Sequence, residues 1–162
     1  MNIPNSELYI RWVQLATFHP FMRTDSSGDH GNQEPWSFGE EALSIVRSFI
    51  NLRYQLLPYL YTTFYQYVKR GTPMLRPISF LDIHDPDTYY REDEFMIGDR
   101  LLVCPVLQAG AEGRKIYLPE GPWYSLWDDS IVEGKKEVWV KCGLHQIPLF
   151  VKPGSVIPMY HT

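Results

Sequence analysis

Apolar positions recur at helical spacing through the first seventy residues and in short alternating runs after that. From Ser6 to Ala16, Leu8, Trp12, Leu15 and Ala16 fall on one face, which predicts a helix capped by Ser6. Phe18 to Met22 is apolar, short and interrupted by Pro20, and reads as the end of a buried strand. A longer pattern follows, with Ala42, Ile45, Val46, Phe49, Ile50, Leu56, Leu57, Leu60, Phe64 and Val68 three, four or seven residues apart. It predicts a long helix entered through a capping box at Ser37 and Glu40. Pro58 is expected to kink or split it, and Gly71 with Pro73 to close it. The stripe is wide enough to want a large partner surface, such as the outside of a barrel or bundle. The rest of the chain looks too small and too β-rich to supply all of that surface.

After His84-Asp85-Pro86-Asp87 the period changes. Leu101 to Val106, Lys115 to Pro119, Gly121 to Tyr124, Val138 to Val140 and two runs around Lys152 to Ser155 are short and punctuated by Gly and Pro. Such runs predict an antiparallel β-sandwich. The fold class expected is therefore α+β, with a boundary near residue 80: residues 1–79 helical, residues 80–162 β. Between the two helices, Arg23 to Trp36 is a polar loop of fourteen residues with Gly28, Gly31 and Pro35. Loops of that length with little apolar content are often functional.

Composition narrows the function classes. The 162 residues are 44% hydrophobic and 21% charged, which is globular. The net charge of -4 argues against a nucleic-acid partner, because phosphate neutralisation needs a basic surface. No stretch reaches the ~18 apolar residues of a membrane span, and no basic-then-apolar leader opens the chain. Cys104 and Cys142 show no CxxC spacing, so neither a zinc site nor a disulfide framework is indicated, and a single bridge between them is left open. No cofactor is called for.

Several blocks, taken in order, resemble glycoside hydrolase family 31, the family of α-glucosidases, α-xylosidases and related α-transglycosylases. They are ELYIRWVQLATFHPFMR, QEPWSFGEE, RYQLLPYLY, FMIGDRLLVCPV, KIYLPEGPWYSLW and IPLFVKPGSVIPM. The resemblance implies the end of a (β/α)8 barrel (a helix, the eighth strand, its loop and the long last helix) followed by a proximal C-terminal β-sandwich. It accounts for the wide apolar helix, and it puts the polar loop at the barrel's C-terminal face, where sites are built. It also implies a retaining α-glycosidase whose two catalytic Asp residues lie on earlier barrel strands, outside this sequence. The chain would then be a fragment, inactive alone, and the lack of a leader says nothing about where the parent resides.

What remains to touch substrate is in the loop. The family's eighth strand ends in an Arg-x-His pattern whose His binds a sugar hydroxyl, and here the pattern reads Arg23-Thr24-Asp25. Asp25 can accept from hydroxyls but cannot donate as a neutral imidazole does. Arg23 suits an ion pair with a site carboxylate, His30 is a substitute for the missing histidine, and Trp36 is a sugar platform. Against these stand plainer readings: Asp25 capping a turn, Arg23 and His30 solvated, Trp36 anchoring the helix start. His19 suits the core or a supporting position. His84 with Asp82, Asp85 and Asp87 superficially suggests a metal, but the spacing fits a polar connector better. Trp123, Trp127 and Trp139 could form a carbohydrate-binding strip or fill the sandwich core. Two other overall readings stand beside the glycosidase fragment. One is a non-catalytic module that binds oligosaccharide. The other is a piece without function that self-associates through its exposed helix.

Overall fold

The computed structural model describes residues 5–25 and 31–161. Helix α1 runs Ser6–Thr17. Its cap is Asn5, not Ser6: the Asn5 Oδ1 accepts the Leu8 N–H at 2.7 Å. Asn caps as well as Ser, and here it stands one residue earlier in extended backbone. The face turned to the core also differs from expectation. Tyr9, Ile10, Val13, Gln14 and Thr17 are buried, whereas Leu8 and Trp12 are exposed. The helix is apolar on two sides, and periodicity alone does not tell which side finds a partner.

Phe18 to Met22 does not form a strand. A strand exists by pairing, and no neighbouring strand flanks this segment among the described residues. Arg53 takes over part of that task. Its guanidinium donates to the carbonyls of Ala16 (3.2 Å), Thr17 (2.8 Å), His19 (2.7 Å) and Pro20 (3.2 Å). One side chain thereby satisfies the carbonyls freed where α1 ends.

Helix α2 spans Glu40–Arg70, 31 residues. A 3-10 turn, Pro35–Phe38, precedes it, so the capping box does not form. The Ser37 hydroxyl instead reaches the Glu34 carboxylate at 3.4 Å, and Gly39, at φ +95°, occupies the cap. Pro58 does not split the helix. Its missing N–H frees only the Tyr54 carbonyl, on a residue that is well exposed. Gly71 ends the helix in left-handed conformation, donating to the Tyr67 carbonyl at 2.8 Å.

The β half is wholly antiparallel. Strands β1 (Leu75–Pro77), β2 (Phe95–Ile97), β3 (Leu101–Val103), β8 (Leu149–Val151), β5 (Pro122–Ser125) and β6 (Ile131–Glu133) lie in that order in one sheet. Strands β4 (Gly113–Leu118) and β7 (Lys136–Lys141) form a separate hairpin. The pleat divides the sheet's side chains between two cores. Met96, Leu102 and Phe150, in register across β2, β3 and β8, face the hairpin with Ile116, Leu118 and Trp123. Ile97, Leu101, Val103 and Leu149 face α1 and α2. The result is three layers: helices, six-stranded sheet, hairpin.

Polar staples lock the layers. Arg11 donates to Ala111, Gly143 and Gln146 carbonyls, and Gln14 Nε2 to the Leu144 carbonyl at 2.6 Å. Tyr59 donates its hydroxyl to the Ile97 carbonyl at 2.6 Å, and burial lifts its pKa to about 12. Beside it, Gly98 turns β2 into β3 at φ +59°, where a Cβ would come within 2.9 Å of the Tyr59 hydroxyl. Cys104 and Cys142 are both buried free thiols, which closes the question of a bridge. The second apolar run after Lys152 is not a strand; it leads back to α2, where the Tyr160 N–H meets the Gln55 carbonyl at 2.9 Å.

Candidate functional site

The unpartnered face of α1 forms one wall of the cleft that holds the predicted site residues. The cleft has a volume of about 650 Å³. Leu8, Trp12 and Leu15 line it from the helix, Phe21, Arg23, Thr24 and Asp25 from the arm that follows, and Gln33 from the returning loop. The arm takes its course from Arg53, which holds the backbone from Ala16 to Pro20. The far side of the loop is fastened by Tyr9. Its hydroxyl donates to the Gln33 carbonyl at 2.9 Å, and its ring stacks on Phe38 at 4.0 Å between centroids. Burial is the main reason the Tyr9 hydroxyl is held above its ordinary pKa.

Arg23 and Asp25 come together as an ion pair on the rim, both largely exposed. Such a pair offers guanidinium donors and carboxylate acceptors side by side, which suits the hydroxyls of a polyol. Beneath the rim the wall is mostly apolar. His19 also lines the cleft and meets Phe95 edge to face at 5.6 Å. Burial, and then the charge of Arg53, lower its pKa, so at neutral pH it is an uncharged imidazole able to donate and accept.

Trp36 does not join this group. It is 66% exposed in the 3-10 turn, and the cleft is lined without it. Next to it, Phe38 stacks on Tyr9 of α1. His30 lies outside the described residues. The residues that sequence reasoning underweighted are Trp12, His19 and Phe21. Trp12 has its signal in the apolar spacing of α1, which places it on the core-facing side; His19 and Phe21 lie beyond that helix, and spacing gives no signal for them.

Among the described residues one carboxylate, Asp25, lines the cleft. Retaining glycoside hydrolysis needs two flanking one bond, roughly 5 Å apart. That pair is not assembled here among the described residues. No group of three or more His, Cys, Asp or Glu able to hold a metal ion occurs among them either. The HDPD stretch is engaged structurally: Asp82 accepts the His84 N–H at 2.8 Å, and Asp85 accepts the Asp87 N–H at 3.2 Å and the Tyr117 hydroxyl at 2.7 Å. No described helix is long and apolar enough to cross a membrane.

Comparison with known proteins adds lineage to this geometry. The sequence profile of the glycosyl hydrolases family 31 TIM-barrel domain matches residues 2–63, and that of the glycosyl hydrolase family 31 C-terminal domain matches residues 71–157. The chain is 37% identical over 155 residues to alpha-glucosidase 2 of Bacillus thermoamyloliquefaciens, covering 96% of this chain and 20% of that protein. A dextranase of Flavobacterium johnsoniae, solved with isomaltotriose, superposes with a TM-score of 0.91 at 39% identity, covering 95% of this chain and 19% of that one. The cycloalternan-forming enzyme of Listeria monocytogenes, solved with a pentasaccharide substrate, gives 0.92 at 28% identity, covering 100% and 16%. The chain thus spans about a fifth or less of these relatives.

Proposed function

The chain belongs to glycosyl hydrolase family 31, and from that premise we propose that it is the C-terminal part of a retaining α-glycosidase acting on α-glucosides or related α-glycosides. The nucleophile and acid/base Asp residues come from barrel strands outside this sequence. Residues 1–79 serve as the end of the barrel and residues 80–162 as its proximal β domain, with the handover near residue 80. Supporting this reading most directly is the cleft on α1: an Arg–carboxylate rim over aromatic walls, with no hydrolytic carboxylate pair among the described residues.

In this reading Asp25 accepts hydrogen bonds from substrate hydroxyls, and Arg23 orients it. Trp36, exposed in the 3-10 turn, and His30, which lies outside the described residues, complete the set proposed from sequence. The ligand is an oligosaccharide or α-glycoside held jointly with the rest of the parent enzyme. The relatives solved with isomaltotriose and with a pentasaccharide support that ligand class.

The test has two arms. The purified 162-residue chain is assayed on p-nitrophenyl α-glucoside and is expected to give no turnover; hydrolysis by the chain alone would overturn the placement of both carboxylates elsewhere. A protein that joins this chain to the rest of a family barrel carrying both catalytic Asp residues is assayed in parallel. It is expected to release the α-anomer first, by NMR, and Asp25→Ala in it is expected to raise KM and lower kcat.

A further inference from the structure

The three tryptophans of the β half have separate fates. Trp123 is buried in the core between sheet and hairpin, with its Nε1 donating to the Pro119 carbonyl at 2.8 Å. Trp127 is edge-on to Phe49 and donates to the Ile147 carbonyl at 2.6 Å. Trp139 stands on the outer face of the β4–β7 hairpin, 65% exposed. It sits directly opposite Lys115 and diagonal to Gly113. A Cβ on Gly113 would lie 3.0 Å from the indole Cζ2, so the ring leans closely over a bare stretch of backbone. That contact limits the ring's rotamers and presents it as a fixed plate.

The plate borders a cleft of about 370 Å³ with a polar rim. Asp93, Gln108, Arg114 and Lys115 line it. Arg114 is held rigidly: it donates to the Asp93 carbonyl at 2.9 Å and to the Pro105 carbonyl, and it pairs with the carboxylates of Asp93 and Glu94. The cleft lies at the small end of the ligand-pocket range of ~300–1,000 Å³.

We propose that this cleft is a carbohydrate-binding site on the β domain, in which one pyranose of a neutral oligosaccharide stacks on Trp139 while its hydroxyls meet Gln108, Lys115 and Asp93. An exposed indole within a rim of mixed donors and acceptors matches a ring that is apolar on its faces and hydroxylated at its edge. A nucleic acid would also stack, but Asp93 at the rim and the chain's net charge of -4 oppose its phosphates. The choice of α-glucan as ligand rests on the family reading above; the site itself rests on the Trp139 cleft.

The experiment is calorimetric titration of the 162-residue chain with isomaltotetraose and maltotetraose. Trp139→Ala is expected to weaken binding about tenfold or more, with the circular dichroism and urea midpoint unchanged, because the side chain is exposed. Trp139→Phe keeps most of the affinity. No saturable binding by the wild-type chain, or equal binding by Trp139→Ala, overturns the site. The readout is binding and not turnover, so failure here leaves glycoside hydrolysis by the parent standing, and failure of hydrolysis leaves this site standing.

Discussion

The two halves of the chain treat apolar surface differently. In the β half both faces of the central strands are covered: Leu102 faces the hairpin, and its neighbours Leu101 and Val103 face the helices. In the helical half only one side is covered. Leu8 and Trp12 on α1, and Tyr61, Phe64, Tyr65 and Val68 on the last turns of α2, remain in solvent. The sheet is covered on one face by the hairpin and on the other by the helices, whereas helices drawn from the outside of a barrel keep a second face for the barrel's other parts. The contrast supports the reading of this chain as a barrel end joined to a β domain.

The largest effect expected is at Gly134. A Cβ there would stand 1.9 Å from the Pro119 carbonyl oxygen and 2.8 Å from that of Gly121, so backbone on two sides must move. Gly134→Ala should cost about 3 kcal/mol or more in urea unfolding, and a loss below 1 kcal/mol would show that the β half is looser than described. Leu102→Ala, in the closed core, should cost about 3 kcal/mol by the same measurement.

Next comes a pH effect within the β half. Glu94 is buried, and desolvation lifts its pKa to about 7 against the bond from the Tyr117 N–H and the charge of Arg114, with Asp93 adding to the rise and Arg91 opposing it. The native state therefore holds a proton that the unfolded chain has released. Stability attached to this group is full below about pH 4.5 and is lost as pH rises to about 7. Glu94→Gln should remove this dependence, on the order of 2 kcal/mol across that window, while keeping the acceptor for Tyr117. An unchanged slope of stability against pH would mean that the carboxyl is charged throughout.

In the helical half, Arg53→Ala removes the guanidinium bonds to four carbonyls, of which Ala16 keeps the His19 N–H, and should cost about 2 kcal/mol. Amide exchange should quicken from Phe18 to Asp25, the arm that carries the rim of the α1 cleft. Global destabilisation without local quickening would separate the cap from the arm. The smallest effect is expected at Phe64. Phe64→Ser should change stability by less than about 0.5 kcal/mol and reduce self-association in light scattering, since the side chain is half exposed. A loss like that of Leu102→Ala would remove the contrast between the halves.

Elements were legible where the signal is local. The apolar period of α2, its left-handed glycine at Gly71 and the short alternating strands are written in neighbouring residues. The site was legible in part: Arg23 and Asp25 share a rim, but Trp36 stands exposed outside the cleft's lining, and Trp12 and His19 line it although spacing points them elsewhere. Capping also went astray. Asn5 displaced Ser6, and the 3-10 turn put Gly39 where Ser37 had been expected, because several cap-forming residues stood within one turn of each start.

By itself the sequence determined the lineage, the order of helix and strand, and the excess of apolar surface on the helices, since each of these follows from residue type and spacing along the chain. Only the tertiary structure decided which face of α1 is buried, which tryptophan is exposed, and that Arg53 shapes the arm of the cleft. Those outcomes depend on partners more than thirty residues away, and periodicity carries no information about which of two apolar faces such a partner will meet.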